Sequence, residues 1–170
     1  SVQTPTDTIA FAPSPRTQAL YGLLRVNTPQ YSFFSGRFTT FLGRDVDFFE
    51  TAPTHRTDVT ADIDFRPSDQ LRLTTSYLYS RITRWRDNSL LSSASVPRLK
   101  VEYQLSRPLF LRFVGQYDNR KLDALRDPAT DAPLLRNSVL AGRQDTRDFR
   151  VDWLVSYLAS PGTVVFAGDR

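Results

Sequence analysis

Cysteine and methionine are absent from this 170-residue chain, and histidine occurs once, at His55. Without cysteine the chain has no disulfide scaffold, thiolate metal site or cysteine nucleophile, and one histidine does not make a histidine-based metal site. Lysine and glutamate are scarce as well, with two of each against 20 Arg and 16 Asp. Because these long-stemmed helix formers are rare while Phe, Tyr, Thr and Val are plentiful, the composition argues against a helical bundle.

Long apolar runs are also missing. No window approaches the roughly eighteen apolar residues of a transmembrane helix, so none is predicted. The chain opens at Ser1 without the charged and apolar regions of a signal peptide, and we expect it to be an excerpt of a longer precursor. The net charge is +4, but Arg and Asp are interleaved along the chain. Since no basic stripe forms, no nucleic-acid partner is predicted.

What the sequence does contain is alternation. Over residues 57–65 apolar or small side chains occupy the odd positions and polar ones the even positions, and the pattern resumes after the turn at 66–70. A period of two predicts β-strands, and the short interval predicts a hairpin. Pairing Phe65 with Leu71 keeps both apolar sets on one face and places Asp64 beside Arg72 on the other.

The same unit recurs along the chain. The fold class predicted is therefore all-β, an antiparallel up-and-down meander of about eight strands, in hairpins 17–43, 56–84, 98–118 and 146–168. In the third hairpin, pairing Leu105 with Leu109 places Glu102 opposite Arg112. Tight turns are predicted at 27–30, 66–70, 106–108 and 160–162, and long connections at 43–56, 85–97 and 119–146.

Strands of about ten residues, with short turns at one end and long loops at the other, are typical of an outer-membrane β-barrel. The alternative is a soluble β-sandwich or open sheet, which also alternates. Amphipathic aromatic side chains on the apolar face favour the barrel because they suit an interfacial girdle; they are Tyr77, Tyr79, Tyr103, Tyr117, Trp153 and Tyr157. Arg and Asp at mid-strand on the other face suit a barrel lumen.

Chain topology extends this interpretation. If the tight turns are periplasmic, strands 17–26 and 162–168 both have their free ends outside, residues 1–16 form a Pro-rich external loop segment, and 17–170 form the barrel segment. Complete bacterial barrels have an even number of strands. With both ends of the barrel periplasmic, we expect one strand before Thr17 and another after Gly168.

Three stretches resemble a known family: 57–67, 148–157 and 160–168, the last beginning with Ser160-Pro161-Gly162-Thr163. They are similar to the C-terminal part of a family of uncharacterised bacterial outer-membrane barrels, in which the barrel follows a module like family-nine carbohydrate-binding domains. The resemblance covers most of 31–168 and includes no catalytic motif. It implies an outer-membrane location and a solute related to carbohydrate. In that family the chain continues into a glycine-rich loop and a final strand, whereas this chain stops at Arg170.

Charged residues on the polar face are the main candidate site. They are interpreted as a lumen charge network that either binds a polar solute or braces the wall, and comprise Asp58, Asp62, Asp64, Arg72, Glu102, Arg112, Arg150 and Asp152. A glycosidase pair would need one carboxyl with a raised pKa, and the interleaved Arg residues act in the opposite direction. His55 is predicted in a loop without a nucleophile motif. No catalytic residue, enzyme activity, metal or cofactor is therefore predicted.

Three loop segments carry weaker signals. Arg81, Arg84, Trp85 and Arg86 are predicted at the outer rim, where Arg suits lipopolysaccharide phosphates. Asp45, Asp47 and Glu50 offer oxygen ligands, but their spacing lacks the features of a calcium loop, so a solvated acidic loop is favoured. Loop 119–146 is unusually rich in leucine; it either plugs the lumen, docks on a partner or packs on itself.

The function predicted from these patterns is a pore or uptake channel in the bacterial outer membrane for polar, carbohydrate-related solutes. The alternative is a non-enzymatic binding or scaffold subunit of a membrane-associated complex. Expected partners are membrane lipid and lipopolysaccharide, polar solutes, and other subunits of such a complex.

Overall fold

The computed structural model describes residues 2–3, 8–9, 20–136, 139–160 and 163–169, and all of its regular elements in these ranges are β-strands. The strands are β1 (Val2–Gln3), β2 (Thr8–Ile9), β3 (Tyr21–Asn27), β4 (Phe34–Asp47), β5 (Ala52–Phe65), β6 (Leu71–Arg84), β7 (Leu90–Ser106), β8 (Leu109–Leu122), β9 (Leu135–Arg136), β10 (Val139–Leu140), β11 (Gln144–Ser160) and β12 (Thr163–Asp169). No helix long and apolar enough to cross a membrane occurs in these ranges.

Eight strands form one antiparallel sheet in the order β12-β11-β8-β7-β6-β5-β4-β3. Within this sheet each strand pairs with the sheet strand before it and the one after it in the chain. The two-residue strands β9 and β10 lie between β8 and β11 in the chain and pair only with each other. The predicted all-β meander of eight strands is therefore confirmed. Strands β3 and β12 are the two edges of an open sheet. A sandwich would need a second large sheet, and the described ranges hold only two-stranded pairs besides this one.

The strands are longer than the predicted ten residues. Four of the inner strands have 14 residues and β7 and β11 have 17. The predicted long connections at 43–56 and 85–97 are therefore wrong: they shrink to 48–51 and 85–89. The expectation failed because both faces of these strands turn polar there, and the alternation that marks a half-buried strand disappears. Only the third connection stays long, at 123–143.

Cross-strand register differs from expectation in one hairpin and agrees in another. Phe65 pairs with Leu73, two residues beyond the predicted Leu71, because Leu71 and Arg72 extend β6 past the end of β5 and pair only with β7. A shift of two keeps every side chain on its predicted face. Glu102 pairs with Arg112 as predicted. Leu105 was predicted to pair with Leu109, but it lies in a bulge and Ser106 pairs with Leu109 instead. The predicted turn at 160–162 and the segment 1–16 fall largely outside the described residues.

The register also shows that the two faces of the sheet keep one phase across all eight strands, since directly paired residues lie on the same face. One face, here called the polar face, carries Arg37, Asp62, Ser76, Arg98, Gln116 and Arg150 along one line of partners. The opposite face is the apolar face. The end of the sheet with connections 48–51, 85–89 and 123–143 is called the loop end, and the other the turn end.

Candidate functional site

An uninterrupted apolar band crosses six strands on the apolar face. It contains 28 positions and no charged residue: Phe34, Gly36, Phe38, Thr40, Leu42; Val59, Ala61, Ile63, Phe65; Leu71, Leu73, Thr75, Tyr77, Tyr79; Pro97, Leu99, Val101, Tyr103; Leu109, Leu111, Phe113, Gly115, Tyr117; Phe149, Val151, Trp153, Val155 and Tyr157. Nothing in the described chain covers it. Phe149 is 66% exposed and Trp153 45%. Such a contiguous apolar surface marks an interaction with lipid or protein.

At the loop end the edge of the band does not follow a line of cross-strand partners but runs at an angle to it. Starting from Leu42, the last band residue of β4, the line of paired residues runs through Thr57, Arg81, Ser93 and Lys121 to Asp145. On β11 the band already ends at Phe149, four residues before that line reaches the strand. The band edge therefore shifts by four residues over five strand-to-strand steps.

The turn-end edge shifts by the same amount in the same direction. From Phe34, the line of paired residues runs through Phe65, Leu73, Val101 and Phe113 to Trp153, whereas the band on β11 extends four residues further, to Tyr157. A shift of four residues along the strands across five spacings between neighbouring strands means that the strands are inclined by about 30° to the direction perpendicular to the band edges. The band thus has two parallel edges, about 23 Å apart after correction for this inclination.

The predicted aromatic girdle residues all lie on the apolar face. Tyr79 and Tyr117 are the last band residues at the loop end, and Tyr103 and Tyr157 the last at the turn end. Trp153 lies midway along β11 and in the middle of the band rather than at an edge. The Tyr77 hydroxyl group reaches out of the band and is 3.2 Å from Ser95 Oγ, which lies just past its edge.

On the polar face, part of the predicted lumen charge network is formed. Arg72 binds Asp64 through two hydrogen bonds of 3.0 and 2.6 Å. Most other ion pairs run along a strand, two residues apart, as in Asp58 with Arg56 at 2.6 Å. Glu102 binds Lys100 at 3.0 Å rather than Arg112, which lies opposite it, and Arg150 binds Asp148 at 2.7 Å. These pairs brace the polar surface locally.

Other members of the predicted network hold no ion pair within the described ranges. Asp62 lies between Arg37 and Ser76 without a bond to either, and Arg112 also lacks a carboxylate partner. An open groove of about 1240 Å³ runs beside Arg112, and Lys100, Arg150 and Asp152 also line it. The polar face therefore offers charged groups to a solute as well as to itself.

The tightest polar cluster of the described chain lies at the loop end. Glu50 and Arg84 are 1% and 2% exposed. Arg84 Nε donates to both Glu50 oxygens at 3.0 and 2.9 Å, and Nη2 donates to Oε1 at 2.6 Å. Arg84 Nη1 reaches Asp123 at 3.0 Å, and the backbone N–H of Arg126 donates to Glu50 at 2.9 Å. Hydrogen bonding to Glu50 raises the pKa of Arg84 above its usual value, so its guanidinium stays charged.

Beside this cluster the leucine-rich loop packs on the sheet. Leu125 and Leu134 form a small core with Leu91, the extra residue of a bulge between β6 and β7, and Ile82 packs against it. Ile82 belongs to the polar face, so the connection 123–143 folds towards that side of the sheet. Leu125 and Leu134 lie in one cluster, in line with packing of the loop through its own leucines, and the same cluster includes Leu91 and Ile82 of the strands, so the loop packs on the sheet as well.

The predicted rim cluster is divided by the structure. Arg84 is buried as described, and Arg86 binds the Asp127 carbonyl and Asp131 within the loop. Both were expected at the rim as phosphate ligands. Arg84 is buried instead, and Arg86 is exposed but its guanidinium is held by the loop. Arg81 and Trp85 are exposed.

Two residues that the sequence reasoning did not assign to the rim surround Trp85. The His55 ring stacks on Trp85 with a centroid separation of 4.4 Å, and the Arg44 guanidinium lies 4.0 Å from the Trp85 ring centroid. His55 was predicted in a loop but lies in β5, paired with Arg44. Extending the alternation beyond Leu42 in β4 would have found this neighbour pair.

The acidic trio predicted as a solvated loop is dispersed instead. Asp45 binds Arg56, and Asp47 accepts backbone N–H groups of its own turn, while Glu50 is buried. Across the described positions no three carboxylate or imidazole groups are arranged to hold a metal ion. The chemistry offered by the chain is therefore that of its surfaces: one apolar and exposed, the other charged.

Comparison with known proteins found no family model, curated protein or solved structure that matches this chain. The family resemblance inferred from the sequence therefore stays a prediction.

Proposed function

We propose that this chain forms part of the wall of a bacterial outer-membrane β-barrel, with the apolar band against lipid and the polar face lining a passage for polar solutes. The observation that carries the proposal is the band itself. Its height of about 23 Å and strand inclination of about 30° are close to the roughly 25 Å lipid-facing band and 35–45° tilt of such barrels. On the six strands β4 to β8 and β11 the exposed surface is free of charge and has two parallel edges, as a lipid slab requires; on the edge strand β12, Asp169 lies opposite Trp153 on the same face.

The distribution of charge supports the same assignment. In a water-soluble protein the apolar side of a sheet is covered and its charged side faces solvent. Here the apolar side is uncovered, since Phe149 and Trp153 are exposed. The unpaired Asp62 and Arg112 on the polar face would meet a solute in an aqueous passage. The relation to carbohydrate rests on the family resemblance alone.

Conductance tests the proposal. The protein produced from its complete gene and reconstituted in planar bilayers should conduct ions. Replacing Asp62 and Asp64 by Asn should shift the selectivity towards anions, because the Arg residues of the polar face are then less opposed. A matched change of Asp45 and Asp47, near the loop end, should shift it less.

One outcome would contradict the proposal, and a further test would then identify a plugged passage. A folded protein that inserts but never conducts would favour a scaffold subunit in the membrane. If shortening the connection 123–143 then restored conductance, this loop would be a plug of the passage.

A further inference from the structure

Two cations outside the apolar band are exposed and unmatched. Arg44 and Arg81 lie on the apolar face just beyond its loop-end edge, and both are exposed. No carboxylate of the described ranges lies within 4.0 Å of either guanidinium. Polar-face arginines such as Arg56 and Arg72 instead hold Asp residues at 2.6 Å. The exposed pair is thus available to an external anion.

Trp85 holds one of these cations in place. The Trp85 ring lies between the apolar band and the loop end. The backbone N–H of Trp85 donates to the Pro53 carbonyl at 3.1 Å, which fixes the turn against β5. The Arg44 guanidinium lies over the Trp85 ring at 4.0 Å. Stacking of this kind orients a guanidinium while leaving its N–H groups free to donate.

The two arginines are placed to share a ligand. Arg44 pairs with His55, which pairs with Thr83, and Arg81 lies two residues from Thr83 towards the band. Two strand spacings and two residues put their Cα atoms about 12 Å apart. Arginine donates to phosphate through two parallel N–H groups, and tryptophan favours the level of lipid headgroups. The level of this group, directly past the band edge, is where headgroup phosphates would lie.

We propose that Arg44 and Arg81, with Trp85 between band and loop end, bind the phosphate groups of a lipid headgroup in the outer leaflet. The inference rests on the proposed function, with the end that carries the long connection 123–143 facing outward. The lipid class that fits is a phosphorylated glycolipid such as lipid A, whose two phosphates match two arginines.

The test compares lipid retention by the full-length protein in nanodiscs that contain diphosphoryl lipid A in phosphatidylcholine. Native mass spectrometry of the released protein measures the lipid that remains bound. The variant R44Q/R81Q should retain lipid A roughly tenfold more weakly or worse, since each charge-assisted hydrogen bond contributes about a factor of ten. The control R98Q/R112Q removes two unpaired cations from the polar face and should change retention less than about twofold.

Three results would overturn the site. Equal retention by R44Q/R81Q and the unchanged protein would show that these arginines do not bind the lipid. Equal retention of dephosphorylated lipid A would assign the contact to acyl chains. Displacement of lipid A by millimolar inorganic phosphate would assign the site to a free anion. Failure of the protein to enter nanodiscs would overturn the proposed function and the site together, whereas insertion with equal retention overturns the site alone.

Discussion

Replacing Glu50 by Gln should destabilise the loop end of the sheet more than any exposed ion-pair substitution. The variant keeps the shape of the side chain but removes the charge that faces Arg84, which is 2% exposed. Removing one member of a buried ion pair costs about 3–5 kcal/mol because the other charge stays buried. Arg84 would still hold Asp123 at 3.0 Å and the Ala124 carbonyl at 2.7 Å. We therefore expect the lower limit, about 3 kcal/mol.

The assay is urea unfolding of the detergent-folded protein, followed by tryptophan fluorescence, together with amide hydrogen exchange. In E50Q the amides of Leu125 and Arg126 should lose protection, since the bond from Arg126 to Glu50 anchors the loop and the bond from Leu125 to Ala141 closes it. As a matched control, D148N breaks the exposed pair with Arg150 and should destabilise the fold far less than E50Q, because solvent screens this pair. Equal effects of E50Q and D148N, with unchanged exchange in the loop, would refute the role given to the buried pair.

Two further predictions concern the faces of the sheet and the loop. Val101→Arg, in the apolar band, should lower the free energy of unfolding in a bilayer by about 2–4 kcal/mol. Ser76→Arg, which is paired with Asp62 on the polar face, should lower it little. If a folding titration found the opposite order, the assignment of the two faces would be inverted. Burial opposes ionisation of Asp127, but hydrogen bonds from Thr130 and Ala129 outweigh it and lower the pKa of Asp127 below its usual 3.8. A folded-state pKa below the ordinary value stabilises the loop above that ordinary value, and this stabilisation is lost as the pH falls through the folded value. The protection factors of the 127–132 amides, which correct for the pH dependence of intrinsic exchange, should therefore fall only below about pH 4, while those of D127N should be low at every pH.

The strands and their faces could be predicted because their signal is local. Alternation in 57–65 identifies both the strand and the side that carries Asp62, and a register error of two residues leaves that side unchanged. The same locality explains the misplaced strand ends. Near Arg44 and His55 both faces are polar, so the period of two that identifies a strand is lost although the hydrogen-bonded ladder continues.

The buried cluster could not be predicted because its members are distant in sequence. Glu50 and Arg84 are 34 positions apart, and Arg84 and Asp123 are 39 apart. Only the meander brings the turns at 48–51 and 85–89 together with the connection 123–143. Without that contact, Arg84 in a run of arginines looks like a surface residue. Composition and residue spacing therefore do not predict that an arginine is buried in an ion pair.

The central claim is that the apolar band faces lipid, and oxygen accessibility along β8 tests it most directly. The chain has no cysteine, so single cysteines can carry nitroxide spin labels in liposomes at successive positions 111–113. Labels at Leu111 and Phe113 should collide with oxygen, which concentrates in lipid, and a label at the exposed Arg112 with a water-soluble nickel chelate. Odd positions that are open to the nickel chelate, or shielded from both reagents by protein, would contradict the account.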